Sequence, residues 1–264
     1  MTSTISVERD GALATLWLDR ADKRNALDGD LMRALGAALD EVAGDAAIRV
    51  VALRGRGRIF SSGIDHQLLL EVFRDSQRAP FLHLHHQLQD VFHRINRLQK
   101  PVIAALHGVA VGMALELALA ADIRIATADC VMGLPEIAFG IVPDVGGTTR
   151  LVRAVGEPRA RELIMTGRLV RAETAERYGL VHEVVADDAA LASVVRERAM
   201  ALAAHPPAGL GLAKTLCQLS AETDATTSFR LEGIVQQALL GQPDIASKFS
   251  AGVAFIKAQI ASAR

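Results

Sequence analysis

The sequence predicts an α/β fold that ends in a helical region, and three observations lead there. Short apolar runs of strand length alternate with helix-patterned segments over most of the chain. The adjacent prolines Pro206 and Pro207 interrupt that alternation, because proline lacks a donor and restricts the residue before it. Beyond them the pattern is almost wholly helical. The expected division is a core domain over 1–205 and a helical region over 206–264.

Ile5 to Val7 and Ala14 to Leu18 read as strands around a turn at Asp10-Gly11. Leu31, Leu35, Ala38, Leu39 and Val42 recur at helical spacing, so 29–43 reads as a helix. Arg49 to Arg54 is the next strand, interrupted by the glycine-bearing GRGRIFSSGID (55–65). A long helix is expected from Phe81 to Leu98, and PVIAALHG (101–108) reads as a strand. HGVAVGMALELALAAD (107–122) then leads into a helix that starts after Gly112. Short strands follow over Asp122 to Ala126 and near Cys130 to Met132, then a loop around Pro135 and a helix from near Gly147. AETAERYGLVHEVV (172–185) reads as a helix and a strand, and no internal repeat is visible.

Composition bounds the function. At 264 residues the chain has ample length for a proper core, and its net charge of -1 argues against the clustered basic face of a nucleic-acid binder. The two cysteines, Cys130 and Cys217, are too few for a disulfide framework and point to a reducing compartment. The N-terminus MTSTISVERDGALATLWLDR has no basic region before an apolar run, and no apolar segment has membrane-spanning length. A soluble, cytoplasmic protein that binds neither nucleic acid nor membrane is expected.

The chemistry begins with a misfit. Glu116 sits in a segment otherwise suited to a core, although burying an unpaired carboxylate costs several kcal/mol, roughly. A helix starting after Gly112 would leave the amides near Met113 and Ala114 without intrahelical partners, able to hold an anion or a developing oxyanion. Glu116 falls about one turn into that helix and can face the same space. It can equally cap its own helix or reach solvent. Glu136, in GLPEIAFGIVPDVGGTTR (133–150), is a second candidate, since two carboxylates near one oxyanion site can divide acid and base labour. An ordinary loop glutamate is the alternative, because spacing alone does not bring the two together.

ADKRNALD (21–28), GRIFSSGID (57–65), HGVAVGMALELALAAD, GLPEIAFGIVPDVGGTTR and AERYGLVHEVV (175–185) occur in the order seen in the enoyl-CoA hydratase/isomerase (crotonase) family. The chain resembles that family along essentially its whole length, least closely in the helical region. The resemblance implies a spiral of β-β-α turns, a C-terminal region that builds trimers or dimers of trimers, and an acyl-CoA thioester as substrate. It implies that the backbone amides of Ile64 and Met113 hold the thioester oxygen, and that Glu116 activates a water while Glu136 delivers the α-proton. Met113 stands where the family usually has glycine, which implies a narrower pocket. Arg24, Asn25, Ala26 and Leu27 are implied beside the pantetheine and adenine of CoA, with Ser62, Asp65 and His66 at the adenine end. Phe255 and Lys257 resemble residues that reach a CoA from a neighbouring subunit; Lys257 can also be a solvated surface lysine. No metal or redox cofactor is implied.

Asp144 departs from the hydratase pattern, which commonly has glycine there, and resembles the aspartate placement of dienoyl-CoA and ring-isomerising members. Isomerisation is therefore the alternative activity, and a loop aspartate capping the next helix is the plain structural one. A catalytically silent acyl-CoA-binding relative is the remoter alternative. Among other candidates, His83, His85, His86 and His93 lack acidic or cysteine partners at metal-ligand spacing. GRG at 55–57 lacks the third glycine of a dinucleotide fingerprint, and Ser61 and Ser62 lack a nucleophile elbow. Asp122 reads as an organiser of the strand after its helix. The segment from Gln67 to Phe81 is expected to set pocket depth.

Overall fold

The computed structural model describes residues 4–75 and 81–262, without the side chains at 72, 73, 75, 81–84 and 262. The chain divides into two compact units, Met1–Ala203 and Ala204–Arg264. In the first unit β1 (Ile5–Asp10) and β2 (Leu13–Leu18) form an antiparallel hairpin. β3 (Val50–Gly55), β4 (Val102–Leu106), β6 (Ile123–Thr127) and β9 (Glu183–Val185) then add in parallel, giving the order β1-β2-β3-β4-β6-β9. A second sheet holds β5 (Val109–Val111), β7 (Val131–Gly133) and β8 (Val170–Arg171) in the order β5-β7-β8.

The two sheets are threaded together. β4 lies in the large sheet, β5 in the small one, and α4 (Met113–Leu119) follows; β6, β7 and then α5 (Gly147–Val155) repeat the order. These are successive β-β-α turns. The central strands are buried on both faces, as parallel strands covered on two sides must be. Alternation along β3 sorts Val51 and Leu53 into the main core and Val50 and Ala52 into a second cluster with Leu191, Val195 and Ala199 of α8 (Asp188–Ala203).

On the main-core side lie α1 (Gly29–Gly44), whose N-cap Asp28 accepts a hydrogen bond from the Leu31 amide at 2.8 Å, and α3 (Phe81–Arg97). α2 (His66–Asp75), α6 (Glu157–Thr166) and α7 (Ala172–Tyr178) complete the first unit. The expected loop at Pro135 contains a 3-10 turn over Glu136–Phe139. Asp122 accepts the Val102 amide at 2.7 Å and so ties the start of β4. The second unit consists of α9 (Pro207–Ser220), α10 (Ala225–Leu240) and α11 (Ile245–Ser262).

Candidate active site

Two backbone amides and three carboxylates converge where the β-β-α turns meet. Gly63 has φ +89, and a Cβ on it would lie 2.5 Å from the Val111 carbonyl and 3.6 Å from the Met113 nitrogen. Only glycine permits that approach, which brings the Ile64 loop against the start of α4. Leu27 fixes the loop from the other side, donating to the Gly63 carbonyl at 2.8 Å and accepting from Asp65 at 2.9 Å. Neither the Ile64 nor the Met113 amide meets an acceptor among the described residues. The Met113 side chain is buried and packs in the main core.

Glu116 is 2% exposed, and its Oε2 accepts the Gly147 amide at the start of α5 at 2.7 Å. Neither solvent nor its own helix end is its destination. Burial first, and then the charge of Glu136, push its pKa up to about 8. Glu136 is half-buried on the 3-10 turn, and a Cβ at Gly112 would lie 3.3 Å from its Oε1. Its Oε2 is buried with no hydrogen-bond partner among the described residues. Burial pushes its pKa up to about 7, with Asp144 adding to the rise.

Asp144 is partly exposed, with its carboxyl raised by burial against the opposing pull of His85. Its carbonyl accepts from Gln89 at 3.1 Å and lies 2.8 Å from His85 Nε2, so two residues of α3 hold it. It does not cap α5: Gly146, with φ +101, is the N-cap, and the side chain that meets the first amide of the helix is that of Glu116.

The family model described as "Enoyl-CoA hydratase/isomerase" matches residues 8–253. The chain belongs to the enoyl-CoA hydratase/isomerase family. Membership makes it an enzyme that processes acyl-CoA thioesters. A probable enoyl-CoA hydratase of Rhizobium meliloti is 35% identical over 97% of both chains. The short-chain-enoyl-CoA hydratase of Clostridium acetobutylicum is 33% identical over 87% of both. Among solved structures, an enoyl-CoA hydratase from Bacillus anthracis superposes with a TM-score of 0.88 at 32% identity, covering 95% of this chain and 96% of that one. The fold is thus the crotonase spiral.

Within this family member, the CoA contacts expected from the sequence fare unevenly. Asn25 is fully buried at φ +52, its amide spent on the carbonyls of Arg56, Ile59 and Phe60 and its Oδ1 on the Arg20 amide. Leu27 is a core residue with both backbone groups bonded, and Asp65 is engaged by Arg20 and by the Gln67 amide. These three residues are built into the scaffold of the loop. Arg24 (φ +55), Ser62 and His66 remain wholly or partly exposed around the same loop, with Ala26 nearly buried. Arg20, absent from the sequence reading, organises it through Asp28, Asp65 and the Ala26 carbonyl.

Phe255 is half-exposed on α11 with its ring edge-on to His205, centroids 5.1 Å apart, and Lys257 is exposed on the same helix. No group of three metal-ligating side chains occurs among the described residues. The side chain of His83 and part of the 67–81 segment lie outside them.

Proposed function

We propose that the protein adds water across the double bond of a 2-enoyl-CoA thioester. The observation that carries this reading is the carboxylate pair Glu116 and Glu136, both raised into the neutral range beside two unpartnered amides. Between about 7 and 8 such a pair holds one proton and one charge. The ionised member takes a proton from water as its oxygen attacks the β-carbon, and the protonated member gives its proton to the α-carbon. The Ile64 and Met113 amides stabilise the charge that develops on the thioester oxygen, about 3–4 kcal/mol for a well-aimed donor.

With Glu116 on the water and Glu136 on the α-carbon, the charge must rest on Glu116, whereas pKa values of about 8 and about 7 leave the pair's proton on Glu116 in the free protein, so that proton has to pass to Glu136 before water adds. Burial opposes that and the Gly147 amide favours it. Addition of water needs no redox cofactor, and the amides supply the polarisation that a metal would.

The test is a panel of short-chain, medium-chain and dicarboxylic 2-enoyl-CoA esters assayed without added metal. The panel follows the names of two relatives, the short-chain-enoyl-CoA hydratase and a 2,3-dehydroadipyl-CoA hydratase of Escherichia coli. Glu116→Gln and Glu136→Gln are each expected to lower kcat by at least roughly 10²-fold. Near wild-type turnover by either variant removes its assigned role, and tight binding of every ester without turnover would leave only a binder.

Isomerisation is the second reading, favoured by Asp144 being free of the cap and acting on both glutamates. Asp144→Asn is expected to spare hydration and suppress double-bond migration; equal loss of both reactions contradicts this division. We further read the protein as cytoplasmic, supported by free thiols at buried Cys130 and exposed Cys217, and as a trimer or dimer of trimers. In that assembly Phe255 and Lys257 approach the CoA of a neighbouring copy.

A further inference from the structure

We infer that Arg150, held by Asn96, is a positioning residue that aims the Gly147 amide at Glu116 and so fixes the pose in which Glu116 works. The inference deepens the hydration reading and rests on it. The guanidinium of Arg150, on α5, is half-buried and makes two directed bonds: Nε donates to Asn96 Oδ1 at 2.9 Å and Nη1 to the Val145 carbonyl at 2.9 Å. Asn96, on α3, in turn donates from Nδ2 to the carbonyl of Ala120 at 2.8 Å. Ala120 ends α4, the helix that carries Glu116, and Glu116 accepts from Gly147 at the head of α5.

The bonds therefore close a ring from Glu116 through α5, Arg150, Asn96 and α4 back to Glu116. Within that ring lies Gly146 at φ +101, where a Cβ would stand 2.1 Å from Arg150 Nη1. The guanidinium fills the space beside the glycine and sets the turn that presents the next amide. The charged groups facing Glu116 are Glu136, Asp144 and Arg150, and Arg153 faces Arg150. Among the described residues that face Glu116 in this way, Arg150 is the cationic one. Burial lowers its own pKa and Glu116 opposes that fall, yet an arginine stays protonated throughout the working range.

An arginine that only ties α3 to α5 would lower the melting temperature when removed and leave Glu116 unchanged. The deciding experiment follows the carboxyl 13C resonance of Glu116, assigned by difference from Glu116→Gln, against pH in ligand-free protein. Arg150→Met is expected to move that titration to higher pH and to lower kcat about 10- to 100-fold, with KM within about twofold. Arg150→Lys keeps the charge and should restore the titration but only part of kcat, because one ammonium does not span Asn96 and Val145. Asn96→Ala, which leaves every charge in place, should lower kcat in the same direction and carries the test if Arg150→Met does not fold. An unchanged Glu116 titration in Arg150→Met, or undiminished kcat in Asn96→Ala, overturns the inference. A wild type that hydrates no ester defeats the hydration reading instead, and the titrations still decide whether Arg150 governs Glu116.

Discussion

Glu116 carries a stability cost that its proposed chemistry explains, and the cost has a definite sign. Its folded pKa, about 8, lies above the ordinary value of 4.5, so the folded protein holds this proton more tightly than the unfolded chain. Stability gained from that proton is full below about 4.5 and is lost as pH rises through about 8. Glu116→Gln cannot ionise, keeps an oxygen for the Gly147 amide, and should therefore be more stable than wild type above pH 8, on the order of 1–3 kcal/mol. Thermal melts of both proteins across pH check this; parallel curves would mean that Glu116 is not held neutral by burial. On the hydration reading the same pair sets activity. The rate should fall below about 7, where both carboxyls are protonated and no base remains, and above about 8, where no acid remains. A pH profile of kcat/KM flat from 6 to 9 contradicts the shared-proton account, with limbs expected at about those values.

The helix α5 is where the site and the fold depend on one another most closely. Gly147 at its first turn would place a Cβ 2.5 Å from Glu116 Oε2, although alanine suits a helix better than glycine by about 1 kcal/mol. Gly147→Ala is thus expected to lower kcat sharply through a displaced carboxylate, with a net loss of stability no larger than the about 1–3 kcal/mol of core overpacking. Undiminished turnover would show that Glu116 needs no fixed place. Much of this was legible in the sequence, because α1, α3, α4 and α5 announce themselves by helical spacing and by glycine at the turn. β5 and β8 were not, since three and two residues are too short to show a period. α8 did carry a signal, Leu191, Val195 and Ala199 at successive turns. The ligand loop was harder still. Asn25 looks like a contact residue in the sequence, and only the convergence of three carbonyls from residues 56–60 reveals it as a buried strut. The metal-like histidine cluster resolves in the same way, with His85 against Asp144.

At the scale of the molecule the two units differ in how they hide apolar surface. The first unit buries two apolar clusters, whereas no apolar side chain of α9, α10 or α11 is buried among the described residues. Phe229 is 69% exposed and Phe249 73%, with Ile234, Ile256 and Ile260 also open. Apolar exposure on that scale marks an interaction surface. No helix among the described residues is long and apolar enough to cross a membrane. Other copies of the chain are the expected cover, and light scattering should give a trimer or hexamer at micromolar concentration. Phe249→Asp and Phe229→Asp, each placing a charge in that surface, should shift the assembly toward smaller species while leaving the spectroscopic signature of the first unit intact. An assembly unmoved by both substitutions would place the contact elsewhere. A monomeric wild type would defeat the assembly outright, and with it the approach of Phe255 and Lys257 to a neighbour's CoA.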